Sequence, residues 1–442
     1  MLERAPGPRG HFLLGNLREY RKDVLGLMLR ASREHGDVVR MRIGPFVSHL
    51  ISHPDLVAQV LQTRSANYDK QTRSSTVIGS ICATSLLTAN GEAWKRRRRL
   101  MQPCFHRQQI ACFTCAMTGC IERRLSQWRI GEPLDVAVEM MHMTYAIVGS
   151  TLLGTDVSES SARIGEAVTG LLEDVYQRWG RIVDWPLWLP VPANRRFHRE
   201  LAEVNRQVER IIAGHREAPE RCPDLLSMLM QARDADTGEG FSDAELRNET
   251  ITMLIAGHET TANALTWTLA LLSGHPEVEE RMREEIAQVL GQRVPTFEDV
   301  PGLVFTTQVL RESMRLYPPI WAMERRAIAA DEIGGYRIPA GASIIVSPYV
   351  MHRDARYWDE PERFRPERFA GNGQHEAYLP FGAGPRYCIG NEFAMLEARL
   401  ILVMILQRFR LERVAKHRIE PHPCITLRLR HGLPMVPRQP GA

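Results

Sequence analysis

The feature that most constrains the fold is one long helix that the sequence predicts in the middle of the chain. Ser242, followed three residues later by Glu245, forms a capping box, which is a signature of a helix N-terminus. Apolar periodicity then continues to Leu272 and stops at Gly274 and Pro276. A helix of about 30 residues at ~1.5 Å per residue spans ~45 Å. It is long enough to cross a whole domain.

A polar island interrupts the apolar pattern in the middle of this helix, where residues 256–261 read AGHETT. Placing a glycine, a carboxylate and two hydroxyl groups inside a buried helix costs stability. One interpretation is a kinked helix whose threonines hydrogen-bond to their own backbone carbonyls. The other is a widened helix that handles protons at a buried site. The pattern alone leaves both interpretations open.

The rest of the chain predicts a mainly α protein with a minor β part. It shows no internal repeat and no linker of domain-separating length, so we expect a single domain over residues 1–442. The segments on which this depends are a hairpin at 37–52 broken at Gly44-Pro45, mostly helical sequence from about 54 to 290, strand character at 333–350 and a long apolar helix at about 391–409.

Composition excludes several classes of protein. Lys and Arg number 56 against 52 Asp and Glu, and the resulting net charge of +4 is too weak to indicate nucleic-acid binding. No apolar run approaches the ~20 residues needed to cross a bilayer, and Pro6 and Pro8 fall where a signal peptide would be apolar. The eight cysteines therefore predict reduced thiols. We expect a cytoplasmic protein with no membrane span.

One cysteine stands in a distinctive loop: residues 381–390 read FGAGPRYCIG, directly before the last apolar helix. The glycines and proline predict a tight loop that places Cys388 at a helix N-terminus, where the dipole and free N–H groups stabilise a thiolate. A lone cysteine is more often a small buried apolar residue. No histidine is spaced as the base of a cysteine nucleophile, so metal ligation is favoured over covalent catalysis. Cys112 and Cys115 form a pair without a second pair, so structural zinc is not predicted.

Taken with four further motifs, this loop resembles that of the cytochrome P450 family of haem-thiolate monooxygenases. The motifs occur in the family's order and spacing from about residue 36 to the C-terminus. They are GEAWKRRRR at 91–99, AGHETT at 256–261, ESMR at 312–315, PERFRPERF at 361–369 and FGAGPRYCIG at 381–390. The resemblance implies a single cytochrome P450 fold with haem b between the long central helix and the cysteine loop.

The resemblance also implies which residues hold the haem. Cys388 would be the thiolate ligand of the iron, and the remaining cofactor-binding residues would be Trp94, Arg98, Ala256, Arg325, Phe381, Gly382 and Arg386. The four consecutive arginines at 96–99 leave the register of Arg98 open. Glu312, Arg315 and Arg368 would form a buried ion network that maintains the fold.

Catalytic and substrate residues follow from the same resemblance. Thr260 and Glu259 match an acid–alcohol pair that delivers protons during oxygen activation, and Thr261 is interpreted as structural. Four apolar residues fall near the distal face of the haem and are expected to line the substrate site: Leu87, Ala256, Ile320 and Ile425.

The expected activity is the insertion of one atom of O2 into a lipophilic substrate such as a fatty acid, terpenoid or steroid. We expect electrons from a separate ferredoxin or flavodoxin with an NAD(P)H reductase, and a monomeric enzyme. Two alternatives remain: a haem-thiolate peroxygenase or isomerase, and a haem sensor without turnover. The intact pair of Glu259 and Thr260 argues against the first alternative.

Overall fold

A computed structural model describes residues 3–154, 160–179, 185–217, 224–371 and 375–440, so Cys222 lies outside the described residues. The described α-helices, in chain order, are α1 (Leu17–His35), α2 (Pro54–Ala58), α3 (Arg73–Cys82), α4 (Gly91–Met101), α5 (Arg107–Cys112), α6 (Thr114–Leu125), α7 (Val136–Leu152), α8 (Ser160–Trp179), α9 (Pro192–Glu217), α10 (Leu225–Gln231), α11 (Asp243–Leu272), α12 (Pro276–Val289), α13 (Val304–Leu316), α14 (Pro348–Met351) and α15 (Asn391–Arg408).

The described strands are short and form four small sheets. In chain order they are β1 (Val38–Ile43), β2 (Phe46–Ile51), β3 (Tyr68–Asp69), β4 (Leu134–Asp135), β5 (Met323–Ala327), β6 (Asp331–Ile333), β7 (Tyr336–Ile338), β8 (Ser343–Val346), β9 (Arg410–Arg413), β10 (Pro421–Pro423), β11 (Leu427–Leu429) and β12 (Pro434–Arg438). The largest sheet has the order β1-β2-β8-β5-β3. The others are β4-β12-β9, β6-β7 and β10-β11.

The long central helix α11 is confirmed. The Ser242 hydroxyl accepts a hydrogen bond from the Glu245 N–H at 3.3 Å, and the Glu245 carboxylate accepts one from the Ser242 N–H at 3.0 Å. The helix continues without a break through the polar island. The hydroxyls of Thr260 and Thr261 donate to the carbonyl oxygens four residues earlier, at 2.8 and 3.4 Å. The hydrogen bonds from threonine hydroxyls to backbone carbonyls, which the kinked-helix interpretation predicts, are therefore present.

Helix α11 forms the centre of the molecule, packed against α7, α9, α13 and α15. Burying its whole circumference explains why apolar residues occur on every face instead of one stripe. Between Ile251 and Ala270, every residue is buried except Ala256, Gly257 and Thr260. These three residues mark the side of the helix that faces an internal space.

The predicted β segments are confirmed in part. The hairpin at 37–52 forms as β1 and β2, with its turn at Gly44-Pro45. Strand character after residue 333 is correct up to Val346, but residues 348–351 form helix α14. The reason is local: the Ser347 hydroxyl accepts a hydrogen bond from the Val350 N–H, and Pro348 occupies the first helical position, where proline is favoured.

Two apolar clusters support these elements. The larger lies among the helices around α11, and the smaller lies between the five-stranded sheet and the segment that leads to Cys388. Among the residues that the structure describes, no helix is both long and apolar enough to cross a membrane.

Candidate active site

A cavity of about 1130 Å³ lies between α11 and the loop that precedes α15. Ordinary small-molecule pockets measure roughly 300–1,000 Å³, so this cavity can hold a large ligand. Most of the expected site residues line it: Leu87, Trp94, Arg98, Ala256, Thr260, Ile320, Arg325, Phe381, Gly382, Arg386, Cys388 and Ile425. Glu259, Glu312, Arg315 and Arg368 do not line it.

The cysteine loop depends on a glycine that cannot be replaced. Gly384 has a φ of +67°, and a Cβ atom added there would lie 1.9 Å from the carbonyl oxygen of Leu61. The Cys388 N–H donates to the carbonyl oxygen of Phe381 at 3.0 Å and closes the loop. Helix α15 begins three residues later, at Asn391. The loop therefore presents the Cys388 side chain to the cavity.

The electrostatic environment of Cys388 differs from the sequence-based prediction. Burial raises the pKa of its thiol, while the Gly390 N–H and the charges of Arg98 and Lys70 act in the opposite direction. The sequence predicts that the helix N-terminus dominates, but desolvation of the sulfur by the surrounding protein has the larger effect and disfavours a free thiolate. A metal ion deprotonates a coordinating thiol outright. This environment therefore suits a metal-bound sulfur better than a free nucleophile.

Several cationic side chains line the same cavity, and four of them are Lys70, Arg98, Arg325 and Arg386. Among the described residues, none of these four forms an ion pair with a carboxylate. The Lys70 ammonium donates to the carbonyl oxygen of Leu87 at 2.9 Å. Sequence reasoning missed Lys70, because a single lysine without a motif is usually exposed.

Burial of these cations has a free-energy cost that the protein alone does not offset. Burial lowers the pKa of Arg325 and of Arg386 to about 10, and the charge of Arg325 adds to the effect on Arg386. Burial also lowers the pKa of Lys70, with the charges of Arg325 and Arg386 contributing. The Nη1 atom of Arg386 is buried without a hydrogen-bond partner. A ligand with carboxylate groups would satisfy this cluster.

The structure settles which arginine of α4 reaches the cavity. Arg98 lines it, and its Nη1 donates to the carbonyl oxygen of Tyr387 at 2.8 Å. Its neighbours point elsewhere because successive helical side chains are about 100° apart. Their ion pairs join Arg96 to Glu245 at 3.0 Å, Arg97 to Glu249 at 3.1 Å and Arg99 to Asp234 at 2.9 Å.

The two residues of the expected acid–alcohol pair face different sides of α11. The Thr260 hydroxyl lies at the cavity wall and donates to the carbonyl oxygen of Ala256 at 2.8 Å. Glu259 is only 2% exposed. Its carboxylate accepts hydrogen bonds from the hydroxyl of Thr426 at 2.5 Å and from Nε of Arg428 at 2.7 Å. The structure thus brings Thr260, but not Glu259, to the cavity.

Glu312, Arg315 and Arg368 lie together in a buried network. The Glu312 carboxylate accepts two hydrogen bonds from Arg315, at 2.7 and 2.8 Å, and both side chains are fully buried. Arg368 approaches the same carboxylate at 3.3 Å. Arg315 also donates to the carbonyl oxygens of His352 and Pro361, each at 2.7 Å. The network therefore joins α13 to the segment that precedes the cysteine loop.

Sequence reasoning missed one member of this network, His352. Its Nε2 accepts a hydrogen bond from the Leu379 N–H at 2.9 Å, so its Nδ1 carries the hydrogen and donates to the carbonyl oxygen of Arg315 at 3.0 Å. Burial and the charge of Arg315 lower the pKa of His352 to about 3. A neutral histidine thus connects the ion network to the chain just before Phe381.

The cysteine pair on α5 and α6 lies outside the cavity. Cys112 and Cys115 are exposed. In the part of the chain that the structure describes, no group of three or more potential metal-binding side chains occurs.

The cavity combines a cysteine side chain, cations without carboxylate partners among the described residues and a hydroxyl group on the central helix. This combination is that of an enzyme with a thiolate-ligated cofactor. The cytochrome P450 family matches residues 5–434. The chain is 36% identical over 399 residues to cyclooctatin synthase of Streptomyces melanosporofaciens, over 89% of this chain and 87% of the relative.

Two other relatives match the chain with similar identity and coverage. The chain is 36% identical to cyclooctat-9-en-7-ol 5-monooxygenase of the same organism, over 86% of this chain and 83% of the relative. It is 35% identical to pentalenene oxygenase of Streptomyces avermitilis, over 85% and 84%. The chain belongs to the cytochrome P450 family. It is a monooxygenase of mainly α fold, its cofactor is haem b, and it requires a substrate, O2 and a source of electrons.

Proposed function

We propose that this P450 oxidises a terpenoid and inserts one oxygen atom into its carbon skeleton. The observation that carries the proposal is the apolar wall formed around α11 by Leu87, Ala256, Ile320 and Ile425, all of which line the cavity. Apolar walls bind hydrocarbon skeletons by removing their surface from water. The names of two relatives specify cyclooctat-9-en-7-ol and pentalenene, which are terpenoids, and this supports the choice of substrate class.

The residues present fit haem b. Bound haem supplies an iron centre that activates O2 for insertion into a carbon–hydrogen bond. Cys388 would bind the iron through its sulfur, with Phe381 and Gly382 beside it. The two propionates would pair with Lys70, Arg98, Arg325 and Arg386, none of which forms an ion pair within the described residues. Trp94 would complete this side, with its ring 4.4 Å from the Arg386 guanidinium.

Thr260 would deliver protons in this proposal. Its hydrogen is committed to the Ala256 carbonyl, so its oxygen lone pairs are free to accept a hydrogen bond from a water in the cavity. Thr260 would thus hold a water that could supply protons inside the cavity, which is general acid catalysis through one bridging molecule. Glu259 keeps its place in the proposal as the neighbouring acid. To contribute, its side chain must leave Thr426 and Arg428, because its carboxylate faces away from the cavity.

The electron donor in this proposal is a separate ferredoxin or flavodoxin with an NAD(P)H reductase, and the enzyme works as a monomer. A hydrogen bond from Arg98 to the Tyr387 carbonyl joins helix α4 to the cysteine loop. The same helix carries two exposed cations, Lys95 and Arg99. An acidic carrier would dock against such cations. Reconstitution with each carrier and light scattering test these points. If neither carrier supports turnover, the proposed electron donor is wrong. If light scattering gives the mass of a stable dimer, the proposed monomer is wrong.

The substrate class is tested with the purified haem-loaded enzyme and a panel of terpenoids, fatty acids and steroids. We expect terpenoids to shift the iron from low to high spin. With redox partners present, we expect products that contain one oxygen atom from isotopically labelled O2. Binding and turnover confined to fatty acids or steroids would overturn the proposal.

The ligand assignment has its own test. With carbon monoxide, the reduced protein is expected to absorb at the position typical of thiolate ligation. Cys388→Ala should lose this band, whereas Cys112→Ala and Cys115→Ala, which change exposed cysteines outside the cavity, should keep it. A normal band in Cys388→Ala would show that another residue binds the iron.

A further inference from the structure

Glu324 is the one acidic side chain among the described residues that line the cavity. It lies on β5, directly before Arg325 of the cation cluster. The rest of the lining is apolar, cationic or neutral. A carboxylate in such a place is costly to desolvate unless hydrogen-bond donors reach it.

Neutral donors, and no cations, hold this carboxylate. One oxygen accepts from the Ser74 hydroxyl at 2.6 Å and, weakly, from the Ser74 N–H at 3.4 Å. The other accepts from the Ser343 hydroxyl at 2.7 Å. Among the described residues, no lysine or arginine forms an ion pair with Glu324. The carboxylate is therefore held in position by Ser74 of α3 and Ser343 of β8, and neither of these donors carries a charge.

Two other arginines close to this carboxylate in the chain or beside its partner Ser74 form contacts with other groups: Arg326, two residues after Glu324, and Arg73, the residue before Ser74. Arg326 forms a bidentate ion pair with Asp69, at 2.6 and 3.1 Å. Arg73 lies over the ring of Phe46 at 4.8 Å and donates to the carbonyl oxygen of Arg178. Tyr20, another cavity residue, has a pKa that burial raises and that the charge of Glu324 raises further. The negative charge of Glu324 therefore acts on another group that lines the cavity.

A carboxylate has about four lone-pair positions, and the two serines occupy three of them. The remaining capacity suits a hydroxyl group, which donates one hydrogen and carries no charge. A hydrocarbon cannot donate to it, and the carboxylate of a fatty acid would be repelled.

We propose that Glu324 accepts a hydrogen bond from a hydroxyl group already present on the substrate, and that the enzyme therefore prefers terpenoid alcohols to the matching hydrocarbons. This inference rests on the proposed function and narrows its substrate class.

The test is a cycle of two ligands and two enzymes. Cedrane and cedrol differ by one hydroxyl group, and their dissociation constants are measured from the spin-state shift of the haem-loaded enzyme. We expect wild type to bind cedrol more tightly than cedrane. Glu324→Gln keeps the shape but loses the charge, and charged acceptors make the stronger hydrogen bonds, so cedrol affinity should fall roughly five- to tenfold. Cedrane affinity should not change. Glu332→Gln, which changes an exposed glutamate on β6, is the matched control and should alter neither value.

The outcomes separate this inference from the proposed function. An equal fall for both ligands in Glu324→Gln would show that Glu324 only supports the cavity wall, and an unchanged cedrol affinity would show that it does not contact the hydroxyl. Either result overturns the inference and leaves terpenoid oxidation standing. If wild type responds to neither terpenoid but binds dodecanoate, the proposed function fails, and the inference fails with it.

Discussion

Thr260 can be tested as a single residue because a matched threonine exists in the same helix. Thr260→Ala should leave substrate binding and the spin shift intact, since it removes only a hydroxyl. Product formed per NADPH consumed should fall, and hydrogen peroxide should account for the difference. General acid–base groups contribute ~10²–10⁴-fold, and we expect a loss near the lower limit because water can replace part of this function.

The control for this prediction is Thr266→Ala. The Thr266 hydroxyl makes the same type of bond, to the Ala262 carbonyl at 2.7 Å, but it is buried and does not line the cavity. Coupling should remain normal in this variant. Unchanged coupling in Thr260→Ala, or an equal loss in both variants, would mean that the hydroxyls serve only the helix.

His352 gives a prediction about pH. Its pKa is lowered from 6.5 to about 3 in the folded protein, so the unfolded chain binds a proton at higher pH than the folded protein does. Its contribution to stability is complete above pH 6.5 and is lost as pH falls toward 3, at about 1.4 kcal/mol per pH unit. In urea unfolding at pH 7 and pH 5, His352→Gln should show a smaller decrease in free energy of unfolding than wild type. An identical decrease would contradict a neutral buried His352.

At the scale of single residues, the sequence was informative where a motif restricts the choice. Cys388, Arg386 and Thr260 belong to motifs, and all three line the cavity. Lys70 and His352 have no motif, and their burial depends on tertiary packing that no local pattern encodes. The direction of the Glu259 side chain could not be predicted either, because it depends on Thr426 and Arg428, far away in the chain.

Among the elements, helix α4 distributes its arginines to different tasks. Arg98 lies at the cavity, whereas Arg99 pairs with Asp234 and Asp236 on the outside. Arg98→Met should weaken haem binding by about 1.5–3 kcal/mol, the value of a hydrogen bond to a charged group. This corresponds to a tenfold to hundredfold change in the constant, by about 1.4 kcal/mol per factor of ten. The measurement is haem transfer to apomyoglobin, with Arg99→Met as control. Equal haem transfer from both variants would show that Arg98 does not bind the haem.

Elements with strong local signals were predicted well. The capping box placed the start of α11, and Gly44-Pro45 placed the turn between β1 and β2. Helix α14 was missed because alternating apolar residues before it continued the strand pattern, and the capping role of Ser347 was not recognised. The four arginines of α4 could not be separated by sequence, since their destinations depend on which carboxylates lie opposite.

For the whole molecule, the prediction of one domain over residues 1–442 implies that the chain unfolds cooperatively. The cavity is lined by residues of both apolar clusters, so unfolding of either cluster would open it. We expect circular dichroism and haem absorbance to report one coincident thermal transition. Two separate transitions would indicate independently folding units.

The buried network should govern this global stability. Glu312→Ala leaves the Arg315 guanidinium buried without its carboxylate, which typically costs ~3–5 kcal/mol, and little haem-loaded protein should be recovered. Glu362→Ala removes a carboxylate that is 62% exposed and pairs with Arg353, and it should have a small effect. Recovery of fully loaded Glu312→Ala would show that the network is dispensable.

The hairpin of β10 and β11 has a consequence for how such an enzyme can change over evolution or in the laboratory. Its tip places Ile425 in the cavity wall, while Thr426 and Arg428, one and three residues further on, hold the Glu259 carboxylate. Substitutions in contact are rarely additive. Adapting position 425 to a bulkier molecule would also displace the anchors of that acid. New selectivity at this position and efficient use of reducing power should therefore be acquired together, through compensating changes at 425 and 428.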